Sequence, residues 1–164
     1  MRSVALLLIV VTGCAAALPV NPPPATPVTV ALSVPLGHRC GTARFWSDGT
    51  AGRTWQQARD FCRSVGGDLA SIHDERERIC ANQVLALSGT PPVGAWIGVF
   101  EDQREGAWRW SDGTPTDFMP WLDGEPNNDS HEASDCGHAW RDQAFQWNDI
   151  PCSRTDPTFL CRLP

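Results

Sequence analysis

An excess of positive charge is missing from this 164-residue sequence. It has 13 basic residues against 19 acidic ones, and its formal net charge at pH 7 is -6. A nucleic-acid partner requires a positively charged surface, so this balance argues against one and suits cations or neutral ligands. The length is sufficient for one ordinary domain with a core of its own.

An apolar stretch long enough to span a bilayer is also missing. The apolar run at residues 4–11 follows a single arginine and precedes Cys14, Ala15 and Ala17. This arrangement is typical of a secretory signal peptide, predicted at residues 1–17 and cut near Ala17. The Val-Thr-Gly-Cys stretch at 11–14 also resembles a bacterial lipoprotein signal, in which Cys14 is retained and lipidated. Both alternatives predict export from the cytosol, and the first predicts a secreted, extracellular protein.

Repeats that specify an oligomer are absent too, since the sequence has no heptad repeat and no collagen-like arm. Oligomerisation therefore stays open, with nothing in the sequence to set its order. Residues 18–35 are rich in Pro, Val, Thr and Ala and carry no charge, which predicts an extended Pro-rich linker. The folded domain is predicted at residues 36–164.

Two helices are predicted in the first half of this domain. Thr54 is suited to cap the first helix, whose apolar residues recur at helical spacing. These residues are Trp55, Ala58, Cys62 and Val65. Asp74 and Glu77 resemble a capping box for a second helix. Its apolar side is expected to contain Ile79, Cys80, Val84 and Leu87. Short apolar segments separated by turns follow, and helices succeeded by strands indicate an α+β fold.

Cysteine is plentiful in the predicted domain. Once Cys14 is set aside with the signal, six cysteines remain: Cys40, Cys62, Cys80, Cys136, Cys152 and Cys161. An even number of cysteines in an exported domain predicts disulfides, but the number alone leaves their pairing open.

Acidic residues are concentrated between Glu101 and Asp149, where twelve Asp or Glu stand against three Arg. Carboxylates this crowded repel one another unless a cation or hydrogen-bond donors compensate them. The segment also pairs carboxylates with amides, as Glu125 with Asn127 around Pro126 and as Asn148 with Asp149. Such oxygens are the ligands that Ca²⁺ prefers, so the pattern predicts a cation site carried by loops. A solvated acidic surface accounts for only some of these residues.

The motifs along residues 40–164, taken in order, resemble those of a C-type lectin domain. They are Trp55-x-x-Ala58-x-x-x-Cys62, Gly67-x-Leu69-Ala70, Trp96-Ile-Gly98, Trp108-x-Trp110-x-Asp-Gly, Glu125-Pro-Asn127, Asp135-Cys136, Trp147-Asn-Asp149, Cys152 and Phe159-x-Cys161. The resemblance implies a double-loop α+β fold with two helices, two small antiparallel sheets and disulfide bonds. It also implies disulfides Cys62–Cys161 and Cys136–Cys152. We expect the left-over Cys40 and Cys80 to pair, the alternatives being links to another chain or buried thiols.

The resemblance implies one Ca²⁺ and carbohydrate site formed by Glu125, Asn127, Asn148 and Asp149. A cis peptide before Pro126 is expected, because it would direct the Glu125 and Asn127 oxygens to the same side. Two vicinal sugar hydroxyls would complete the Ca²⁺ coordination. Glu is an acceptor only, whereas the Asn amide offers donors, and this order resembles that of mannose-type lectins. The reversed order, Gln-Pro-Asp, is the galactose-type arrangement.

The sequence departs from the family pattern just before Asp135. Mannose-type lectins usually have a further Glu ligand there, whereas this chain has Ser134, with Glu132 two residues earlier. Either Glu132 completes the calcium site, or the site is weak or calcium-independent. An auxiliary calcium site would map onto Glu101, Glu105, Asn128 and Asp135, two of which differ from the expected carboxylates.

Aromatic and histidine residues have simpler interpretations. Trp96, Trp108, Trp110 and Trp147 lie in apolar strand segments and are expected in the core. Trp121 and Trp140 are better candidates for lining the long loop. His131 and His138 lack the spacing of a zinc site and are expected on the surface.

The sequence predicts a secreted, calcium-dependent lectin rather than an enzyme. Its expected ligands are glycans with mannose, fucose, glucose or N-acetylglucosamine on microbial or cell surfaces. Glu125 and Asp149 could be an acid and base of a glycosidase, but a Ca²⁺ that keeps both ionised would prevent that role. The alternative is a lectin-like domain that binds protein, ice or mineral and has a weak or lost sugar site.

Overall fold

The computed structural model describes residues 37–91, 93–102, 107–127 and 135–164, which all belong to one unit, Leu32–Pro164. This part of the chain contains two α-helices, α1 (Trp55–Ser64) and α2 (Glu75–Leu87), and a short 3-10 helix, Arg141–Gln143. Its strands are β1 (His38–Cys40), β2 (Ala43–Trp46), β3 (Asp68–Leu69), β4 (Ala95–Asp102), β5 (Ala107–Trp110), β6 (Asp135–Trp140), β7 (Gln146–Pro151), β8 (Thr158–Phe159) and β9 (Cys161–Leu163). The predicted signal, the linker and residues Glu105, Asn128, His131, Glu132 and Ser134 lie outside the described residues.

The strands form two sheets, which confirms the predicted α+β class. The first sheet has the order β1-β2-β9-β3 and is antiparallel throughout. The second has the order β5-β4-β6-β7, also antiparallel, and the two-residue β8 adds a parallel pairing to β4. Strand β9 therefore joins the end of the chain to β2 near the start of the domain. None of the helices in the described part of the chain is long and apolar enough to cross a membrane.

Helix α1 has the buried face that the spacing predicts. Trp55, Ala58 and Cys62 are buried, and Thr54 caps the helix by accepting a hydrogen bond from the Gln57 N–H. The Gln57 side chain accepts in return from the Thr54 N–H at 3.0 Å, so a complete capping box starts the helix. The helix ends where Gly66 takes φ 91°, a conformation that favours glycine.

Helix α2 buries only part of the face predicted from its apolar residues. Ile79 is 49% exposed and Leu87 is 76% exposed. The buried residues are Glu77, Ala81, Val84 and Leu85, and Cys80 is partly buried against the core. The prediction was right for Val84 and wrong for Ile79 and Leu87, because a charged residue occupies the inner face. Arg162 of β9 donates to both Glu77 carboxylate oxygens, at 2.8 and 3.0 Å, and so compensates the buried charge.

The start of α2 also differs from a complete capping box. The Asp74 side chain accepts from the Glu77 N–H at 2.8 Å, as expected for an N-cap. Glu77 accepts from the N–H of His73, one residue before the cap, rather than from Asp74. The Glu77 carboxylate therefore links the entry of α2 to Arg162, whereas a capping box would keep it within the first turn.

Most of the tryptophans expected in the core are there. Trp96 and Trp147 are fully buried and Trp110 is almost so. Trp108 is only half-buried, and its ring packs edge-to-face on Trp121 with centroids 4.7 Å apart. Trp108 therefore covers the edge of the core instead of filling it.

Disulfides join the six described cysteines in the expected pairs. Cys62–Cys161 links α1 to β9 and closes a loop between cysteines that are 99 residues apart in the sequence. Cys136–Cys152 spans the β6–β7 region, and Cys40–Cys80 fastens β1 to α2. In the chain-entropy description, closing the longest of these loops stabilises the fold by about 4 to 5 kcal/mol.

Candidate functional site

The exposed edge of β7 positions the predicted site residues. Trp121 forms an isolated parallel bridge with Trp147, and the Leu122 N–H donates to the Trp147 carbonyl at 2.8 Å. A turn follows, in which the Glu125 N–H donates to the Leu122 carbonyl at 2.9 Å. Because Trp147 directly precedes Asn148, this pairing lays the Glu125 loop alongside the two polar residues of β7.

Aromatic side chains pack around this bridge between Trp121 and Trp147. The Trp147 ring meets Trp110, Phe118 and Trp121 edge-to-face, with centroids 5.4, 6.1 and 6.2 Å away. Such pairs add about 0.5 to 1.5 kcal/mol each beyond the area they bury. The cluster therefore holds the loop against β7 through apolar contacts that require no ligand.

Four predicted side chains meet at this edge. The peptide between Glu125 and Pro126 is cis, as expected. The Asn127 N–H donates to Asp149 Oδ1 at 3.0 Å, and Asn127 Nδ2 donates to Glu125 Oε1 at 3.1 Å. Asn148 Oδ1 is buried and finds no hydrogen-bond partner among the residues that the structure describes. The structure thus brings Glu125, Asn127, Asn148 and Asp149 together.

These side chains line a cleft of about 410 Å³. Trp140, Ile150 and Pro151 complete its wall. Trp140 was a candidate for such a position, whereas Ile150 and Pro151 were missed. They could have been predicted from their position directly after Asn148 and Asp149 on the same strand. The cleft combines an oxygen-rich floor with apolar walls, which suits a small hydroxylated ligand.

The oxygen ligands fit a hard cation. Glu125 and Asp149 supply carboxylates and Asn127 and Asn148 supply amides, which is the donor chemistry of Ca²⁺ sites. Asn148 Oδ1, which the described part of the chain leaves without a hydrogen-bond partner, is an oxygen that a cation would satisfy. Within residues 37–91, 93–102, 107–127 and 135–164 there is no group of three or more His, Cys, Asp or Glu suited to a metal. The site therefore depends on its two amides as much as on its two carboxylates.

Only part of the predicted auxiliary site can be placed. Glu101 lies in β4 and Asp135 starts the neighbouring strand β6, where Phe100 pairs with Cys136. Glu101 lines a separate cleft of about 290 Å³ together with Trp55 and other residues. Glu105 and Asn128, like Glu132 of the main site, lie outside the described residues.

His138 is buried, so the expectation of a surface histidine was wrong. Only 2% of it is exposed, because its cross-strand neighbours, Trp96 of β4 and Asn148 of β7, flank it on the same face of the sheet. Its Nδ1 donates to the Asn148 carbonyl at 3.2 Å, which identifies the tautomer, since a carbonyl only accepts. Burial lowers the pKa of His138 from 6.5 to about 4, so the ring is neutral at pH 7. Its hydrogen bond holds the main chain of Asn148, one of the site residues.

Residues 51–163 match the family described as the lectin C-type domain, and the chain belongs to this family. A perlucin-like protein of Mytilus galloprovincialis is 30% identical over 134 residues, covering 81% of this chain and 85% of the relative. This relative is similar in sequence across most of the described domain and in overall length.

Two solved structures are similar in fold and sequence. The cow C-type carbohydrate-recognition domain of CD23, in the presence of a GlcNAc2Man3 oligosaccharide, is 27% identical with a TM-score of 0.59. The match covers 73% of this chain and 84% of that one. A calcium-independent type II antifreeze protein is 32% identical with a TM-score of 0.65, covering 78% and 92%. Chains of similar fold thus include one described with an oligosaccharide and one described as calcium-independent.

Proposed function

We propose that this protein is a secreted, calcium-dependent lectin that binds neutral glycans of the mannose type. The observation that carries the proposal is the meeting of Glu125, Asn127, Asn148 and Asp149 at an open cleft, with Asn148 Oδ1 buried and without a hydrogen-bond partner among the described residues. It is supported by membership of the C-type lectin family and by the GlcNAc2Man3 oligosaccharide in the description of a similar structure.

Each residue has a separate part in binding. When bound, Ca²⁺ would supply open coordination positions for two neighbouring sugar hydroxyls. Glu125 accepts a hydrogen bond from one hydroxyl, while the Asn127 amide donates to another. Asn148 contributes its amide and Asp149 its carboxylate, which Asn127 already holds in place at 3.0 Å. Glu132 is the proposed further ligand in the segment before Asp135.

The order of donor and acceptor favours a particular class of sugar. An acceptor at Glu125 and a donor at Asn127 match the equatorial hydroxyl pair of mannose, glucose or N-acetylglucosamine, and the corresponding pair of fucose. Trp140 and Ile150 add apolar wall against which the carbon face of a sugar ring can pack. A single site of this kind binds weakly, so avidity for a microbial or cell surface would require several copies.

Secretion is part of the proposal. Three disulfides join the described cysteines, and disulfides persist in oxidising compartments outside the cytosol. The amino-terminal pattern at residues 1–17 supports the same destination, followed by the linker at 18–35 and the lectin domain at 36–164.

A second candidate function is binding of ice, mineral or protein without calcium. Its support is the likeness to a calcium-independent type II antifreeze protein, which is 32% identical. Ser134 also supports it, because mannose-type lectins usually have a Glu ligand for calcium at this position.

Calorimetric titration with Ca²⁺, followed by titration with methyl α-mannoside in Ca²⁺ or in EDTA, tests the proposal. We expect one calcium equivalent at the main site and sugar binding that EDTA abolishes. Glu125→Ala should weaken both by at least about tenfold, since it removes a cation ligand and a hydroxyl acceptor. Asp123→Ala is the matched control, because Asp123 is an exposed carboxylate of the same loop that does not line the cleft.

Sugar binding by the native protein, measured in Ca²⁺ and in EDTA, distinguishes the two candidate functions. Sugar binding of equal strength in EDTA, or none in either buffer, would overturn the calcium-dependent proposal. Thermal hysteresis or mineral adsorption that Glu125→Ala leaves unchanged would then identify the second function.

A further inference from the structure

A second cleft adjoins the candidate sugar site. It has a volume of about 340 Å³ and shares Trp140, Asn148 and Ile150 with the first cleft. Because both clefts are lined by Trp140 and Ile150, these two side chains lie between the clefts on the same face of the sheet. A ligand longer than one sugar ring can therefore extend from the first cleft into the second.

The second cleft has polar groups that the first lacks. Asp142, Arg154 and Asp156 line it and are absent from the first cleft. Arg154 Nε donates to Asp156 Oδ1 at 2.9 Å, yet the two side chains remain 45% and 48% exposed. They are thus pre-positioned while keeping oxygen and nitrogen atoms open to solvent.

The charge of this rim selects among ligands. Two carboxylates stand against one guanidinium, and Arg154 is already paired with Asp156. An anionic sugar would meet a net negative rim, whereas neutral hydroxyls can donate to the carboxylates and accept from the guanidinium. The half-buried Trp140 ring offers apolar surface between the clefts for the carbon face of a sugar. The lining therefore matches a neutral, hydroxyl-rich group.

We propose that the second cleft is a subsite for the penultimate sugar of a neutral oligosaccharide whose terminal sugar occupies the first cleft. This inference rests on the proposed lectin function and deepens it. Trp140 contacts both sugars, while Asp142, Arg154 and Asp156 bind hydroxyls of the second sugar alone. The ligand class is a linear neutral glycan, and the second cleft discriminates against sulfated or sialylated chains.

Calorimetry with methyl α-mannoside and with mannotriose in Ca²⁺ tests the subsite on the full chain. We expect mannotriose to bind about fivefold or more tightly than the monosaccharide, equivalent to one or two added hydrogen bonds. The double variant Arg154→Ala/Asp156→Ala leaves the net charge unchanged and should remove this advantage. Monosaccharide affinity should stay within about twofold of the native value, since neither residue lines the first cleft.

A matched double variant controls for the loss of an ion pair as such. Glu75 and Arg78 form another exposed carboxylate–arginine pair, on α2 and outside both clefts. Glu75→Ala/Arg78→Ala should leave the affinities for both sugars at their native values. Asp142→Ala should reduce only the mannotriose affinity, as an independent measure of the same subsite.

Equal affinity of the native protein for the two sugars would overturn the subsite, as would an equal loss of both affinities in the Arg154/Asp156 variant. Failure of the proposed function is distinguishable, because neither sugar would then bind in a calcium-dependent manner. In that case, amide chemical shifts are recorded during mannotriose titration. Saturable shifts at Asp142, Arg154 and Asp156 support the second cleft as a glycan site by itself, and their absence overturns it.

Discussion

The main-chain N–H of Asn127 donates a 3.0 Å hydrogen bond to Asp149 Oδ1, which joins the long loop to β7 at the candidate cation site. Under the proposed function, Asp149 has two tasks, one as an acceptor within the protein and one as a carboxylate toward a cation. The first task needs only an oxygen at Oδ1, whereas the second needs the negative charge. Substitutions that separate oxygen from charge therefore separate the two tasks.

Asp149→Asn should preserve the hydrogen bond from Asn127 and remove the charge. We expect calcium affinity to fall by about tenfold or more, while the calcium-free free energy of unfolding changes by less than about 1 kcal/mol. Asp149→Ala should lose both properties and destabilise the calcium-free protein by about 1 to 2 kcal/mol. Calorimetry and urea unfolding in EDTA provide the two measurements. An equal effect of both variants on stability would contradict the structural task of Oδ1.

Exchanging the polar groups at positions 125 and 127 should change sugar preference. In Glu125→Gln/Asn127→Asp, the side chain at 125 can donate to that at 127, so the 3.1 Å hydrogen bond persists with its direction reversed. The net charge is also unchanged. We expect the affinity ratio of galactose to mannose to rise by about tenfold. Competition binding measures the ratio, and thermal unfolding in EDTA checks that the fold is intact. A ratio that does not move would contradict the donor and acceptor order as the source of selectivity.

His138 should make stability depend on pH. Its pKa in the folded protein is about 4, below the unfolded value of 6.5, so the fold favours the neutral ring. The stability contribution is complete above pH 6.5, decreases as the pH falls toward 4, and is constant below that. The difference corresponds to about 3 kcal/mol.

His138→Asn is the variant that isolates this effect, because an amide can donate to the Asn148 carbonyl without titrating. Urea unfolding from pH 4 to pH 7 should give a shallower decrease toward low pH for the variant than for the native protein. Parallel pH profiles would show that His138 is not the responsible group.

The buried pair of Glu77 and Arg162 should tolerate joint replacement better than single replacement. Arg162→Met leaves a buried carboxylate without its cation and should destabilise the protein by about 3 kcal/mol or more. Glu77→Leu/Arg162→Met should recover much of that loss, because no charge remains buried. Arg78→Met, which breaks the exposed pair with Glu75, should cost less than about 1 kcal/mol. Urea unfolding at pH 7 measures all three variants, and a double variant no more stable than Arg162→Met would refute this account.

Local patterns predicted the elements that depend on neighbouring residues. The apolar spacing of α1 and the cap at Thr54 were sufficient for its boundaries and its buried face. The same reasoning was only partly correct for α2, because the partner that allows Glu77 to be buried, Arg162, lies 85 residues away. The periodicity of a helix shows which of its residues are apolar. It does not show which charged residue is compensated by a residue distant in the sequence.

The candidate site was predicted better than the strands that position it. Its four residues belong to two short motifs whose order along the chain resembles a known family. The Trp121 and Trp147 bridge, which brings the motifs together, is a single-residue pairing with no signal of its own. His138 was misassigned because it is polar, whereas the cross-strand neighbours that flank it, Trp96 and Asn148, follow only from the strand register.

The Cys62–Cys161 disulfide encloses the whole segment from α1 to β9, including the long loop and β7. A peptidase that cuts the backbone anywhere inside this covalent ring produces two fragments that are still bonded to each other. Glu125 and Asp149 both lie within the ring, so one cut in the loop between them cannot release either half of the candidate cleft. A nicked molecule would migrate as a single species until it is reduced.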